Sequence, residues 1–272
     1  MVGIIGDPVE HSLSPALHNA AFAVLGLDWV YIPLPVRREE VGAAVEGLRA
    51  LGLRGANVTV PHKGAVLPYL DRVEGDAALV EAVNTIVLEQ DALVGYNTDV
   101  NGVRDALMDV YGDSLGGAPG LLLGAGGAAR AAALALTRLG VRLTVVNRTA
   151  AAAESLTALV KAAVPGAECT WQTLDELDPA LVAGQRLIVN ATSLGMAGAG
   201  KVPPVLADTV GAGHIVFDLV YTRGETEFLA RARGQGAMVI GGLEMLVRQA
   251  ATAFELWTGR RASLKAMRDA VA

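Results

Sequence analysis

The chain has 272 residues, 52% of them hydrophobic and 18% charged, with a formal net charge of −6. That length suits one large domain or two of ordinary size, and the apolar content excludes a disordered chain. The 22 Lys and Arg residues are scattered rather than gathered into a basic face, so nucleic acid is not an expected partner.

From the N-terminus, Val2 to Ile5 is the first predicted strand, entered without the basic segment and longer apolar core of a secretory leader. In His11-Ser12-Leu13-Ser14-Pro15 a helix begins, and its apolar positions Leu17, Ala20, Ala21, Val24 and Leu25 keep helical spacing up to Gly26. Ser14 is the expected N-cap and Pro15 the first helical residue. Capping accounts for Ser14 but not for Ser12, two residues earlier and on the same side of an extended segment. Two hydroxyls at a helix start suit a carboxylate, with simple capping as the alternative.

Further strands are predicted at Val30 to Leu34, Gly55 to Thr59 and Thr85 to Leu88. The second of these runs into Asn57-Val58-Thr59-Val60-Pro61-His62-Lys63-Gly64, where Pro61 stops the ladder and a lysine arrives at the end of the sheet. The plain alternative is a solvated charge. Ala82-Val83-Asn84-Thr85 and Gly95-Tyr96-Asn97-Thr98-Asp99 place amides, hydroxyls and a carboxylate at other strand ends. Asp99 either caps the helix predicted from Val100 to Tyr111 or joins this cluster. Taken together, a lysine, an aspartate and neutral hydrogen-bonding groups suit a small polyhydroxylated substrate.

The stretch Leu121-Leu122-Leu123-Gly124-Ala125-Gly126-Gly127-Ala128-Ala129 reads as a buried strand followed by a dinucleotide-binding turn. Gly124 permits the tight turn, Gly126 lets a pyrophosphate approach the backbone, and Ala129 stands where helix and strand pack closely. The N–H groups opening the next helix, which ends at Gly140, hold the phosphates. The strand from Leu143 to Val146 leads to Asn147-Arg148-Thr149. An NAD site usually ends this strand in Asp or Glu, whereas Arg148 offers a cation to the 2′-phosphate of NADP. A glycine-rich turn serving packing alone is the competing reading.

Strands are also predicted at Leu187 to Asn190, Ile215 to Leu219 and Ala237 to Ile240, so apolar runs alternate with helical patterns. The expected fold is α/β, with two α/β domains joined near Asp99 to Gly117. The N-terminal one has a mostly parallel sheet, the other is a Rossmann-type NADP domain, and a cleft between them is the expected active site. The helical pattern from Leu243 to Trp257 returns to the first domain, giving residues 1–100 with 243–272 as one domain and 101–242 as the other. The longest stretches without formal charge, His11 to Leu27 and Ser114 to Ala129, fall short of the roughly 20 apolar residues of a membrane span, so no membrane partner is expected. Cys169 is the only cysteine, which excludes an intrachain disulfide and suits a reducing cytoplasm. There is no Gly-x-Ser-x-Gly elbow, and His11, His18, His62 and His214 lack metal-ligand spacing, so neither hydrolase chemistry nor a metal is expected.

These segments together resemble the shikimate dehydrogenase family. The resemblance rests on His11-Ser12-Leu13-Ser14-Pro15, Asn57 to Lys63, Ala82-Val83-Asn84-Thr85, Asn97-Thr98-Asp99, Gly124 to Ala128, Asn147-Arg148-Thr149, Asn190-Ala191-Thr192-Ser193, Asp218-Leu219-Val220-Tyr221 and the helix with Gln249-Ala250-Ala251, all in family order. It implies NADP-dependent reduction of 3-dehydroshikimate to shikimate in aromatic amino acid biosynthesis, with Lys63 and Asp99 as the catalytic pair. It further implies that Ser12, Ser14 and Tyr221 hold the substrate carboxylate and that Thr59, Asn84 and Gln249 hold ring hydroxyls. The cofactor would lie on Gly124, Ala125, Gly126, Gly127, Ala128, Asn147, Arg148, Thr149, Thr192 and Gly242. Relatives acting on quinate or an aminated shikimate are the alternative within the family. A non-catalytic NADP-binding regulator on the same scaffold should have lost Lys63 or Asp99, and both are present. The sequence does not separate a monomer from a homodimer. Two positions depart from the family pattern: Glu81 stands where a glycine is common, and Ala150 to Ala153 replace a second basic residue after the Asn-Arg-Thr turn.

Overall fold

The structure is a computed structural model and describes residues 1–196, 198–222 and 224–271. The chain divides into two compact units, Met1–Gly102 with Val247–Ala272, and Val103–Leu246.

In the first unit the chain runs through β1 (Val2–Gly6), α1 (Ser14–Val24), β2 (Tyr31–Pro35), α2 (Val41–Ala50), β3 (Gly55–Val58), β4 (Arg72–Val73), α3 (Asp76–Val80), β5 (Thr85–Glu89) and β6 (Ala92–Tyr96), then enters α4 (Asp99–Tyr111). The sheet order is β2-β1-β3-β5-β6-β4. β1 pairs parallel with β2 and β3, while β5 is antiparallel to both β3 and β6. Pro33 and Pro35 lack donors and lie on edge strand β2, where such gaps in the ladder are tolerated. The core is built from Ile5, Val45, Ala56, Val66, Val83, Ile86 and Leu93, all buried.

The hairpin formed by β5 and β6 is a finding the strand pattern does not announce. Its second arm contains Gly95, whose absent side chain makes room for Leu70 and Val83; a Cβ there would stand 2.6 Å and 2.7 Å from them. Glycine weakens a strand signal, and here it marks a close approach. The tight turn is closed by Gln90 at φ 57°.

The second unit continues with β7 (Pro119–Leu123), α5 (Gly127–Arg138), β8 (Arg142–Asn147), α6 (Ala150–Ala163), β9 (Cys169–Thr173), α7 (Pro179–Ala183), β10 (Leu187–Asn190), α8 (Pro204–Thr209), β11 (Ile215–Asp218), α9 (Glu227–Gly234) and β12 (Met238–Gly241), then α10 (Gly242–Thr258). Its strand order is β12-β11-β10-β7-β8-β9, and every pair is parallel. Counted from β7 this is the doubly wound order, whose reversal between β7 and β10 opens a binding crevice at the strand carboxyl ends. β9, absent from the sequence expectation, is an edge strand whose Thr170, Trp171, Gln172 and Thr173 are not fully buried, so it lacks the continuous apolar run of the inner strands. Leu121 and Leu122 are completely buried, each worth about 1.5–3 kcal/mol relative to exposure. The final helix, α11 (Leu264–Asp269), packs against α1 in the first unit. Among the described residues no helix is long and apolar enough to cross a membrane.

Candidate active site

In the first unit, four chain segments meet at one edge of the sheet. Parallel strands β1 and β3 both end there, and the loops after them touch, with the Asp7 N–H donating to the Val60 carbonyl at 3.2 Å. Because β5 is antiparallel to β3, it begins at this edge, with Thr85 opposite Asn57. Because β6 is antiparallel to β5, it ends there, with Tyr96 opposite Thr85. Lys63, Asn84 and Asp99 are thus delivered to one place by strand direction alone.

There the Lys63 ammonium donates to Asp99 Oδ2, with the two side chains 15% and 5% exposed. Lys63 is therefore not the solvated charge that its strand-end position allows. Asn84 Nδ2 donates to Asp99 Oδ1 at 2.8 Å and to Thr98 Oγ1 at 2.9 Å, and Gln249 Oε1 lies 3.4 Å from it. Asp99 opens α4, but its carboxylate is engaged here; Asn97 Oδ1 accepts the Asp99 N–H at 3.0 Å instead. The capping reading of Asp99 is corrected accordingly. Thr59 lies on the same turn as Lys63, its carbonyl accepting from the His62 N–H at 2.8 Å.

The start of α1 also differs from expectation. Ser14 is the first helical residue rather than the N-cap, and no side chain caps this helix in the usual sense. Ser12 Oγ accepts the Ser14 N–H at 3.2 Å, so it is the earlier serine whose oxygen faces the helix start. Pro15 sits in the first turn as expected. Ser14 is buried and Ser12 half-buried.

Glu81, where the family resemblance leads one to expect glycine, adopts the left-handed conformation with φ 50° and ψ 42°. Glycine reaches that region without a Cβ penalty, whereas a glutamate there is strained. The backbone still carries Asn84 into register, since the Val83 N–H donates to the Lys63 carbonyl at 2.8 Å.

In the second unit, Gly124 turns the chain after β7 at φ 113°, and a Cβ there would come within 3.0 Å of the Thr192 methyl group and 3.1 Å of the Ala191 carbonyl. Gly126 precedes α5 with no side-chain cap, and the space a Cβ would occupy beside it is open. Backbone donors of Gly127, Ala128 and Ala129 open a 12-residue helix reached through two glycines, an arrangement suited to a phosphate. Ala125 lies within the turn, and Ala129 is fully buried against the sheet. After β8, Asn147 Nδ2 donates to the Thr149 carbonyl at 3.0 Å and fixes the turn. Arg148 is exposed on that turn, and among the described residues it makes no ion pair. The residues present therefore fit a dinucleotide that carries a 2′-phosphate.

Thr192 is held by Asn190, whose Oδ1 accepts its hydroxyl at 2.7 Å, while Thr192 Oγ1 accepts the Leu194 N–H at 3.1 Å. Asn190 in turn donates to Asp218 Oδ1 at 2.9 Å, and Asp218 Oδ2 accepts from Thr226 at 2.7 Å. Burial pushes the fully buried Asp218 carboxyl above its ordinary pKa, and bonds from Thr226, Val220 and Asn190 offset part of that rise. Asp218 was not among the expected site residues, yet it ties the C-terminal ends of β10 and β11 to the start of α9. Tyr221 is half-buried and lines a cavity of about 200 Å³ together with Thr222, Leu229 and Gly242. Gly242 begins α10 where a Cβ would stand 2.5 Å from the Leu219 carbonyl, so only glycine fits.

Residues 4–86 match the family described as the shikimate dehydrogenase substrate binding domain, and residues 242–272 match the shikimate 5′-dehydrogenase C-terminal domain. Over 268 residues the chain is 46% identical to the NADP(+) shikimate dehydrogenase of Moorella thermoacetica, covering 98% of this chain and 90% of that protein. Among solved structures, a shikimate dehydrogenase in complex with NADP+ superposes with a TM-score of 0.92 at 39% identity, covering 99% of this chain and 93% of that one. The shikimate 5-dehydrogenase of Thermus thermophilus, solved with NADP(H) and shikimate, gives a TM-score of 0.87 at 35% identity, covering 99% and 97%.

Proposed function

The chain belongs to the shikimate dehydrogenase family and is an NADP-dependent oxidoreductase acting on a CH–OH group, in which we propose that Lys63 and Asp99 handle the proton. It interconverts 3-dehydroshikimate and shikimate. The observation that carries the assignment of roles is the ion pair of Lys63 and Asp99, buried at the sheet edge beside Asn84.

When bound, NADPH supplies the hydride that reaches the substrate carbonyl carbon. As that carbon is reduced its oxygen gains negative charge and needs a proton, which the Lys63 ammonium donates as general acid. In the oxidative direction the neutral amine takes the hydroxyl proton. Asp99 Oδ2 fixes the position of Nζ, and Asn84 keeps Oδ1 occupied, so the carboxylate does not swing away. Hydroxyls of Ser12 and Ser14 are suited to the substrate carboxylate, and Thr59 and Gln249 to its ring hydroxyls. In the nucleotide half, the backbone from Gly124 to Ala128 would hold the pyrophosphate, and Asn147, Arg148 and Thr149 the adenosine end. Thr192 and Gly242 bring further backbone close to the same strand ends. A single buried Cys169 supports placing the enzyme in the reducing cytoplasm.

The experiment is an absorbance assay of reduced nicotinamide offering shikimate and quinate, each with NADP and NAD. Turnover of shikimate with NADP in clear excess over the other three combinations is the expected result. Preference for quinate overturns the substrate assignment, and preference for NAD overturns the reading of Arg148.

A further inference from the structure

Resting on the proton-transfer roles above, we propose that Tyr31 is a positioning residue: its hydroxyl starts a one-way line of buried hydrogen bonds that ends on Asp99 and sets where Lys63 is held. Tyr31 begins β2 and is 1% exposed. Its Oη donates to Asn57 Oδ1 at 2.8 Å. Asn57 Nδ2 donates to the Asn84 carbonyl at 3.1 Å and to Thr85 Oγ1 at 3.0 Å. A backbone carbonyl only accepts, so the Asn57 amide cannot be turned round, and Tyr31 must be the donor.

Thr85 Oγ1, having accepted from Asn57, donates to Asn84 Oδ1 at 3.0 Å. That same oxygen accepts the Thr98 backbone N–H at 2.7 Å. A backbone N–H only donates, so Asn84 also has a single allowed orientation, with Nδ2 facing Asp99 Oδ1 at 2.8 Å. Every donor from Tyr31 through Asn57, Thr85 and Asn84 thus points toward the carboxylate oxygen that Lys63 does not use. None of these five residues, Asp99 included, is more than 5% exposed. In so dry a setting, aligned hydrogen bonds polarise one another, and losing one is felt along the line.

Tyr31 is itself clamped by α1. Asn19 Oδ1 accepts its N–H at 2.8 Å, and Asn19 Nδ2 donates to its carbonyl at 3.0 Å. The His18 ring lies flat on the Tyr31 ring, 4.4 Å between centroids and 2° between planes. The helix that begins at the Ser12–Ser14 segment therefore also fixes the far end of the line reaching Asp99. A tyrosine that merely filled the core would contribute to stability and leave turnover alone.

The test uses Tyr31→Phe, Thr85→Val, Thr85→Ser and the Tyr31→Phe/Thr85→Val double variant. Tyr31→Phe should lower kcat for shikimate oxidation by about 3- to 10-fold, as for one lost hydrogen bond, with KM for NADP unchanged. Thr85→Val should act likewise, Thr85→Ser should restore most of the loss, and the double variant should be no worse than the poorer single one. Independently of turnover, the Asp99 carboxyl carbon resonance should move in Tyr31→Phe and Thr85→Val and return in Thr85→Ser. A normal kcat in folded Tyr31→Phe, multiplicative losses in the double variant, or an unmoved Asp99 resonance each overturns the proposal. A wild-type enzyme inactive on shikimate would instead overturn the functional reading, and the resonance would still decide the line from Tyr31.

Discussion

Lys63 and Asp99 stand 36 positions apart in the chain, and the ammonium of one donates directly to the carboxylate of the other. Neither side chain has another charged partner in that pairing among the described residues. Lys63→Ala should lower kcat by about 10²- to 10⁴-fold, the usual contribution of a positioned acid or base, with a far smaller change in substrate affinity. Steady-state kinetics on the folded variant check this, and near-normal turnover would remove Lys63 from the chemical step.

Ser12 Oγ accepts the Ser14 N–H, and its hydroxyl is the one proposed to meet the substrate carboxylate. Ser12→Ala should weaken shikimate binding by about 1–3 kcal/mol, as for a hydrogen bond to a charged group, while NADP binding is almost unaltered. Titration calorimetry separates the two ligands. If thermal stability drops and shikimate affinity does not, Ser12 only shapes the start of α1.

Arg148 is exposed on the turn between β8 and α6, and α6 opens with alanines rather than a second cation. Arg148→Ala should cost NADP about 1.5–3 kcal/mol, while NAD, which lacks the 2′-phosphate, loses little. Discrimination between the cofactors should therefore fall by about 10- to 150-fold. Equal losses for NAD and NADP in KM measurements would make Arg148 a structural residue of the turn.

His18 is completely buried among Phe22, Tyr31, Phe254 and Trp257. Burial lowers its pKa from 6.5 to about 3, the neighbouring Asn57 side chain offsetting only part of the effect. Neither ring nitrogen has a hydrogen-bond partner among the described residues. Between those two values the unfolded chain takes up a proton that the folded one refuses, so folding stability rises with pH and is lost as the solution is acidified. The slope starts at about half of ~1.4 kcal/mol per pH unit at pH 6.5 and approaches that limit below it, giving about 2 kcal/mol between pH 6.5 and pH 4.5. Denaturant titrations of His18→Leu over that range should show this part of the acid loss removed; an unchanged pH dependence would mean that His18 protonates without cost.

Glu81 holds a left-handed backbone at φ 50°. Releasing that conformation with Glu81→Gly recovers about 1–2 kcal/mol, from which the greater freedom of glycine in the unfolded chain removes about 0.4–1 kcal/mol. The variant should be more stable by about 0.5–1 kcal/mol with unaltered kcat, measured by chemical denaturation. A less stable Glu81→Gly would show that contacts of the Glu81 side chain outweigh the backbone term.

Local features were legible in the residues alone. Leucines 121 to 123 followed by Gly124 and Gly126 specify a strand, a tight turn and a helix start within a few residues, because only glycine tolerates φ 113° beside Thr192 and leaves the backbone open. Arg148 and Gly140 could be read for the same reason, each acting through its own turn. Whatever depends on strand direction had to wait for the folded chain. That Lys63 meets Asp99, and that Asn84 turns its amide toward that carboxylate, follows from the antiparallel β5–β6 hairpin, which Gly95 disguises and which brings the start of one strand and the end of the next to the same edge. Asn57, Thr85 and Tyr31 look like ordinary strand residues in sequence, and Asp218 like the end of an apolar run. Their roles depend on which buried partner each donor and acceptor finds, a matter settled only when segments far apart in the chain exclude water together.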